Sequence, residues 1–397
     1  MTTSTQAGVV LTPEERLARR RLILRDTVSL LTLFLITAAL FVLTWLLHQS
    51  FTDHEALLGQ RWKARGEAAL RAGNAQSAIE SLRSALAYVP SRDTEIDLAT
   101  ALAEAGRTQE AFAYFNTLLE AAPGDGMINL QLARLAAKQG NMSLAILRYQ
   151  SALDGTWEAN GYDRRREVRL EMASYLISRR QFDKARVQLL IAASNAPTDD
   201  LAAQTQIAAM LEQAQDLPDA LNLYRSVASH RSPPVAALEG AGRVAFNLGM
   251  YRAAADYLNR EMASPAAPAL PTSARTADRG MLDTATRVLL LDPASDLPAR
   301  ARAQRTLSDR DTARARLTAC AASKTASPAL APLVSRWSQI PQQIRLYQLE
   351  QNPDLIETIL QLVYDTERTT AQVCGPPAGD DAILLRIAEN PAAAEQE

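Results

Sequence analysis

The sequence predicts an all-α chain in which a single N-terminal transmembrane helix is followed by an α-solenoid of stacked helix-turn-helix units. Three observations predict it. An apolar run without a charge, Thr27 to Leu47, lies near the N-terminus. Beyond it, small residues return in phase: Ala78, Ala111 and Ala145 are separated by 33 and then 34 residues, each with the same kind of neighbours. Finally, no stretch outside the apolar run alternates apolar and polar residues as a half-buried strand would.

The apolar run holds 21 residues. As a helix it covers roughly 31 Å, the thickness of a bilayer's hydrocarbon core. It leaves through Trp45, Leu46, Leu47 and His48 without the small-residue exit of a cleavable signal. Residues 1–26 carry Arg16, Arg19, Arg20, Arg21 and Arg25, and the first basic residue beyond the run is Arg61. This asymmetry places the N-terminus in the cytoplasm and everything after His48 outside it. The expected location is therefore the inner membrane of a bacterium, single-pass, with the repeats in the periplasm; the opposite orientation is the alternative. His48 to Leu58 reads as a short link between span and repeats.

The first repeat runs from Gly59 to Arg92. Trp62, Gly66, Ala69 and Gly73 precede Ala78, Leu82, Ala85 and Pro90. The small residues allow two antiparallel helices to approach, Trp62 and Leu82 fill the gaps between them, and Pro90 ends the unit. The second helix of the unit recurs as Ala111, Phe115 and Leu118, as Ala145, Tyr149 and Ala152, and as Ala185, Leu189 and Ala192. Two more copies are Ala220 with Tyr224 and Val227, and Ala254 with Leu258. Gly73, Gly106, Gly140 and Gly249 open the turns, with Arg180 and Gln215 in the same place in repeats four and five.

On these residues the chain resembles the tetratricopeptide repeat (TPR) family, as a membrane-anchored bacterial member. It departs from the family pattern at Arg65, where a leucine is usual. The resemblance implies six clear repeats over residues 59–262 and a concave face built from the first helix of each. Carried over position by position, the groove residues are Lys63, Glu67, Leu70 and Arg71 in repeat one, and Ile96, Thr100 and Glu104 in repeat two. Repeat three gives Met127, Leu130, Arg134 and Lys138; repeat four gives Leu170, Ser174, Ile177 and Ser178; repeat six gives Arg243, Phe246 and Asn247. The family's two-carboxylate clamp needs asparagines where Glu67 and Asp97 stand, and these acids would repel a carboxylate.

After repeat six, Pro265, Pro268 and Pro271 mark a linker over residues 263–276. Residues 277–325 read as degenerate repeat helices, with Ala313, Leu317 and Cys320 at the repeat spacing. Residues 328–390 read as a helical cap, which an open solenoid needs. If the domain is extracytoplasmic, Cys320 and Cys374 are a candidate disulfide closing a long loop; two separate buried thiols are the alternative.

No catalytic residue, metal ligand set or cofactor site emerges. The three histidines have no ligand spacing. Gly240-Ala241-Gly242-Arg243-Val244-Ala245 matches a dinucleotide fingerprint, but it falls inside a helix rather than between strand and helix. A net charge of −2 gives no ground for a nucleic-acid surface. The expectation is a scaffold or adaptor, not an enzyme, that binds a partner protein or peptide in its groove within an envelope assembly such as secretion, polysaccharide export or cell-wall machinery. The alternative is that the repeats present a C-terminal module with its own small-molecule binding or catalytic activity. Oligomeric state is not readable.

Overall fold

The computed structural model describes residues 13–158, 160–266, 268, 271–324 and 327–390. The start of the N-terminal segment, before Pro13, and the tail beyond Asn390 lie outside them. Every regular element among the described residues is helical, and the one extended contact among them is a bridge between Asp125 and Thr156. The chain divides into two compact units, residues 1–159 and 160–397.

The first unit contains α1 (Pro13–Arg71), α2 (Ala75–Tyr88), α3 (Arg92–Glu104), α4 (Thr108–Ala121), α5 (Gly126–Lys138) and α6 (Met142–Asp154). These form three hairpins, α1 with α2, α3 with α4 and α5 with α6, and each hairpin packs on the next. The link expected at His48 to Leu58 is not a break. It is part of α1, which runs unbroken from the apolar stretch into the first repeat, because no glycine or proline between Pro13 and Gly59 interrupts it. The side chains of the apolar stretch are exposed except that of Ala38, which is half-buried, and Phe41 is exposed to 72 %.

The second unit opens with three more hairpins. They are α7 (Gly161–Ser178) with α8 (Phe182–Asn195), α9 (Leu201–Gln213) with α10 (Leu217–Ala228), and α11 (Val235–Asn247) with α12 (Tyr251–Met262). Then come α13 (Thr272–Leu291), α14 (Ala299–Ser323), α15 (Ala331–Gln339), α16 (Leu346–Glu350), α17 (Pro353–Cys374) and α18 (Asp380–Glu389).

All six hairpins turn the same way. In the first, Gly73 N–H donates to Leu70 O and Asn74 N–H to Ala69 O, both at 2.9 Å, and Gly73 sits at φ 72°. This pair of bonds satisfies the last carbonyls of the first helix while reversing the chain. The same two bonds recur around Gly106, Gly140, Arg180, Gln215 and Gly249. Asn74, Asn141 and Asp216 then accept a backbone N–H from the first turn of the next helix, so one short segment ends one helix and caps another.

Packing repeats as strictly as the turns. Ala78, Ala111, Ala145, Ala185, Ala220 and Ala254 are fully buried, as are Leu82, Phe115, Leu189 and Leu258, with Tyr149 and Tyr224 nearly so. Close approach is the reason for the small residues opposite. A Cβ placed on Gly66 would stand 2.5 Å from Leu82 Cγ, and one on Gly242 would stand 2.6 Å from Leu258 Cγ.

The region after repeat six keeps the residue spacing but changes partners. Ala313, Leu317 and Cys320 are all buried on α14. Yet α14 packs on α16, α17 and α18, while α13 packs on α11, α12 and α18. With 20 and 25 residues these helices are longer than most repeat helices and do not pair as a hairpin of their own. Their core is shared: Tyr251 of α12 belongs to the same apolar cluster as Leu317, Trp337, Ile359 and Leu384, with Phe246 of α11 packed against it. Cys320 and Cys374 are joined in a disulfide that ties the end of α14 to the end of α17, with their Cα atoms 5.9 Å apart.

Candidate protein-recognition site

In the first unit the candidate residues lie on α1, α3 and α5. Lys63 is half-buried, its Nζ 3.8 Å from Glu67 Oε1 and 3.9 Å from Asp93 Oδ2. Beside them the Asp97 carboxyl is pushed above its ordinary value by burial first and by the charge of Glu67 next, with Lys63 opposing. Three carboxylates thus surround one ammonium. A carboxylate ligand is disfavoured there, as the sequence implied. Ile96 and Thr100 are half-buried, while Arg71 and Glu104 are exposed at their helix ends.

On α5 the four candidates separate. Met127 is 44 % exposed and Leu130 only 7 %. Leu130 therefore serves the core beside Ile128 and Leu132 and offers a partner little surface. Met127, Arg134 and Lys138 are exposed and spaced seven and four residues apart, which aligns them along one stripe of the helix.

In the second unit Leu170 and Ile177 are half-buried on α7, with Ser174 and Ser178 exposed beside them. The repeat-six candidates are already engaged. Arg243 Nε and Nη2 donate to the two oxygens of Glu212 at 2.8 and 3.0 Å, and Nη1 donates to Glu239 at 2.8 Å. Those bonds hold the guanidinium charged, with its pKa raised further. Burial pushes the neighbouring Tyr224 phenol up as well. The Phe246 ring meets Tyr251 edge-on, centroids 5.7 Å apart, and the Arg386 guanidinium of α18 lies 4.8 Å above it. Glu239 at four residues from Arg243 is a pairing readable in the sequence. Glu212, one repeat earlier, and Arg386, on another helix, carry no such signal.

The glycine pair of the dinucleotide-like motif is steric. A Cβ on Gly240 would stand 2.3 Å from Tyr224 Cζ, so both glycines are there for helix packing inside α11. Among the described residues no group of three or more His, Cys, Asp or Glu is placed to hold a metal.

A family model described as tetratricopeptide repeat matches residues 63–126 and again 96–163. No curated protein sequence matches the chain. Among solved structures, PilF of Pseudomonas aeruginosa is similar at 16 % identity, covering 58 % of this chain and 98 % of that one with a TM-score of 0.38. PilW, described as a type IV pilus biogenesis factor, is 18 % identical over 55 % of this chain and 97 % of its own, TM-score 0.39. YrrB, described as a TPR protein with an unusual peptide-binding site, is 16 % identical over 51 % and 100 %, TM-score 0.38. Residues 63–163 therefore carry tetratricopeptide repeats, and the same turn bonds and the same buried alanine recur in all six hairpins up to α12.

Proposed function

We propose that the chain is a membrane-anchored scaffold whose first unit grips a partner protein or peptide along α1, α3 and α5. The observation that carries the reading is Met127, exposed on a helix whose other large apolar side chains are buried, and aligned with Arg134 and Lys138. An apolar contact flanked by cations is the mixed surface a peptide groove presents. The acids Glu67, Asp93 and Asp97 at the other end favour a partner with a basic segment.

The anchor is α1. Within its apolar stretch Thr27, Ser29, Thr32, Thr37 and Thr44 each donate their hydroxyl to a carbonyl three or four residues back, so these groups stay satisfied in hydrocarbon. The arginines before the stretch support a cytoplasmic N-terminus, and the disulfide suits an oxidising compartment for the repeats. An envelope assembly in a bacterial inner membrane fits this topology. A reporter active only outside the cytoplasm, fused after Glu397, is expected to be active; a silent fusion reverses the orientation.

The shared core of repeat six and the C-terminal helices supports reading residues 328–390 as continuous with the repeats rather than as a separately folding module. Crosslinking and pull-down from intact membranes tests the groove. The triple variant Met127→Ser, Arg134→Glu, Lys138→Glu is expected to lose partners that the native chain captures, and an unchanged partner set sinks the reading.

A further inference from the structure

The last helix is held differently from the rest of the second unit. α18 is preceded by Gly375-Pro376-Pro377-Ala378-Gly379, in which Gly375 sits at φ 95° and Gly379 at φ 60°. The two prolines cannot join a helix and stiffen the middle of this connector, so the glycines at its two ends, in conformations other residues avoid, are its pivot points. The chain is clamped just before it. Arg316 of α14 donates from Nε to Thr370 Oγ1 at 2.8 Å and from Nη2 to Gly375 O at 2.9 Å, one turn from the disulfide between Cys320 and Cys374. The clamp on the connector ends at Gly375, and the ten-residue helix beyond it is joined to α17 only through this short tether.

That helix sits as a ligand would. Ile383, Leu384, Ile387 and Ala388 are buried on one face, against α13, α14 and α17. Polar contacts secure both ends: Arg287 of α13 meets Asp380 at 2.6 Å, and Arg368 of α17 donates to the Ala388 carbonyl. Arg386 then covers the ring of Phe246 on α11. An apolar stripe at i, i+1 and i+4 in a groove between helices, with charges at its ends, is the helix-in-groove mode of peptide recognition.

We propose that α11, α13, α14 and α17 form a helix-binding seat and that the chain's own α18 occupies it reversibly, swinging on the Gly375–Gly379 hinge. The seat fits an amphipathic helix with apolar residues placed as in Ile383, Leu384 and Ile387 and an arginine at the place of Arg386. When α18 leaves, Phe246 is uncovered. This goes beyond the groove of the first unit and stands whether or not that groove takes a partner, because the recognition involves only residues of the second unit.

A short tether gives the docked tail an effective concentration on the order of millimolar, so a free copy of the helix competes poorly until the tethered one is weakened. The test uses the full chain in detergent and a labelled peptide of the chain's residues 379–390. The Ile387→Asp chain is expected to bind the peptide at least about tenfold tighter than the native chain, and an Arg386→Ala peptide to bind more weakly than the native peptide. Absence of binding to both chains, or equal binding, overturns the proposal. Hydrogen exchange on the unaltered chain is an independent measurement that does not depend on how the variant folds. Amides of α18 are expected to exchange at least about tenfold faster than those of α17; exchange of the two helices as one unit overturns it.

Discussion

Arg180 adopts the left-handed backbone conformation that Gly73 adopts at the equivalent turn, φ 56° against 72°. The same two turn bonds surround both residues, so the geometry belongs to the hairpin and not to the residue type. A side chain at such a position costs about 1–2 kcal/mol, and Gln215 at φ 61° bears the same strain.

Arg180→Gly and Gln215→Gly are each expected to stabilise the second unit, by about 0.5–1 kcal/mol once the larger freedom of glycine in the unfolded chain is offset. Gly73→Ala should destabilise the first unit by a similar amount. Denaturant titration of the single variants measures this, and a loss of stability on Arg180→Gly contradicts the strain account.

Gly66 and Leu82 interlock in the first hairpin. Gly66→Ala is expected to destabilise by about 1–3 kcal/mol, since the added methyl enters the space of a fully buried leucine. The double variant with Leu82→Ala should cost less than the two single changes added together, because shortening the leucine makes room for the methyl. Strict additivity would mean the two residues do not meet.

Three buried carboxyls make the second unit pH-sensitive. Burial, then the charge of Asp381, pushes Glu367 up to about 8 against the pull of Arg316 at 3.5 Å. Burial, then Asp292, pushes Asp309 up to about 8, and burial, then Asp278, pushes Glu261 up to about 7. Folded, these groups hold protons that the unfolded chain releases near pH 4. The contribution of these three groups to stability is therefore full below that pH and declines as pH rises to about 8, by up to about 1.4 kcal/mol per pH unit for each group still protonated. Thermal melts of the full chain should show a higher midpoint at pH 5 than at pH 8, and Glu367→Gln should reduce the difference. A midpoint that rises with pH reverses the sign and rejects the assignment.

The disulfide links residues 54 apart. Cys374→Ser, or reduction, is expected to cost the second unit about 2–4 kcal/mol by freeing that loop in the unfolded chain. The protection of α17 and α18, measured by hydrogen exchange with and without reductant, reports it. Unchanged protection in reductant would mean that packing alone holds the two helices.

The sequence alone determined the hairpins. Alanines, glycines and turn residues repeat because each unit meets only itself and its neighbours, so the contact that selects a residue lies within about 40 positions and recurs with the period. That is why Arg180 and Gln215 can be placed at turns although they are not glycines. The tertiary structure decided what has no period. It carried α1 unbroken through His48 to Leu58, placed Leu130 in the core, and gave Arg243 to Glu212. It parted α13 from α14 and set Arg386 over Phe246. Pairings such as Arg287 with Asp380 join residues 93 apart on helices of unequal length. They are fixed by which apolar faces close the end of a stack, and that is settled only when all the helices are in place.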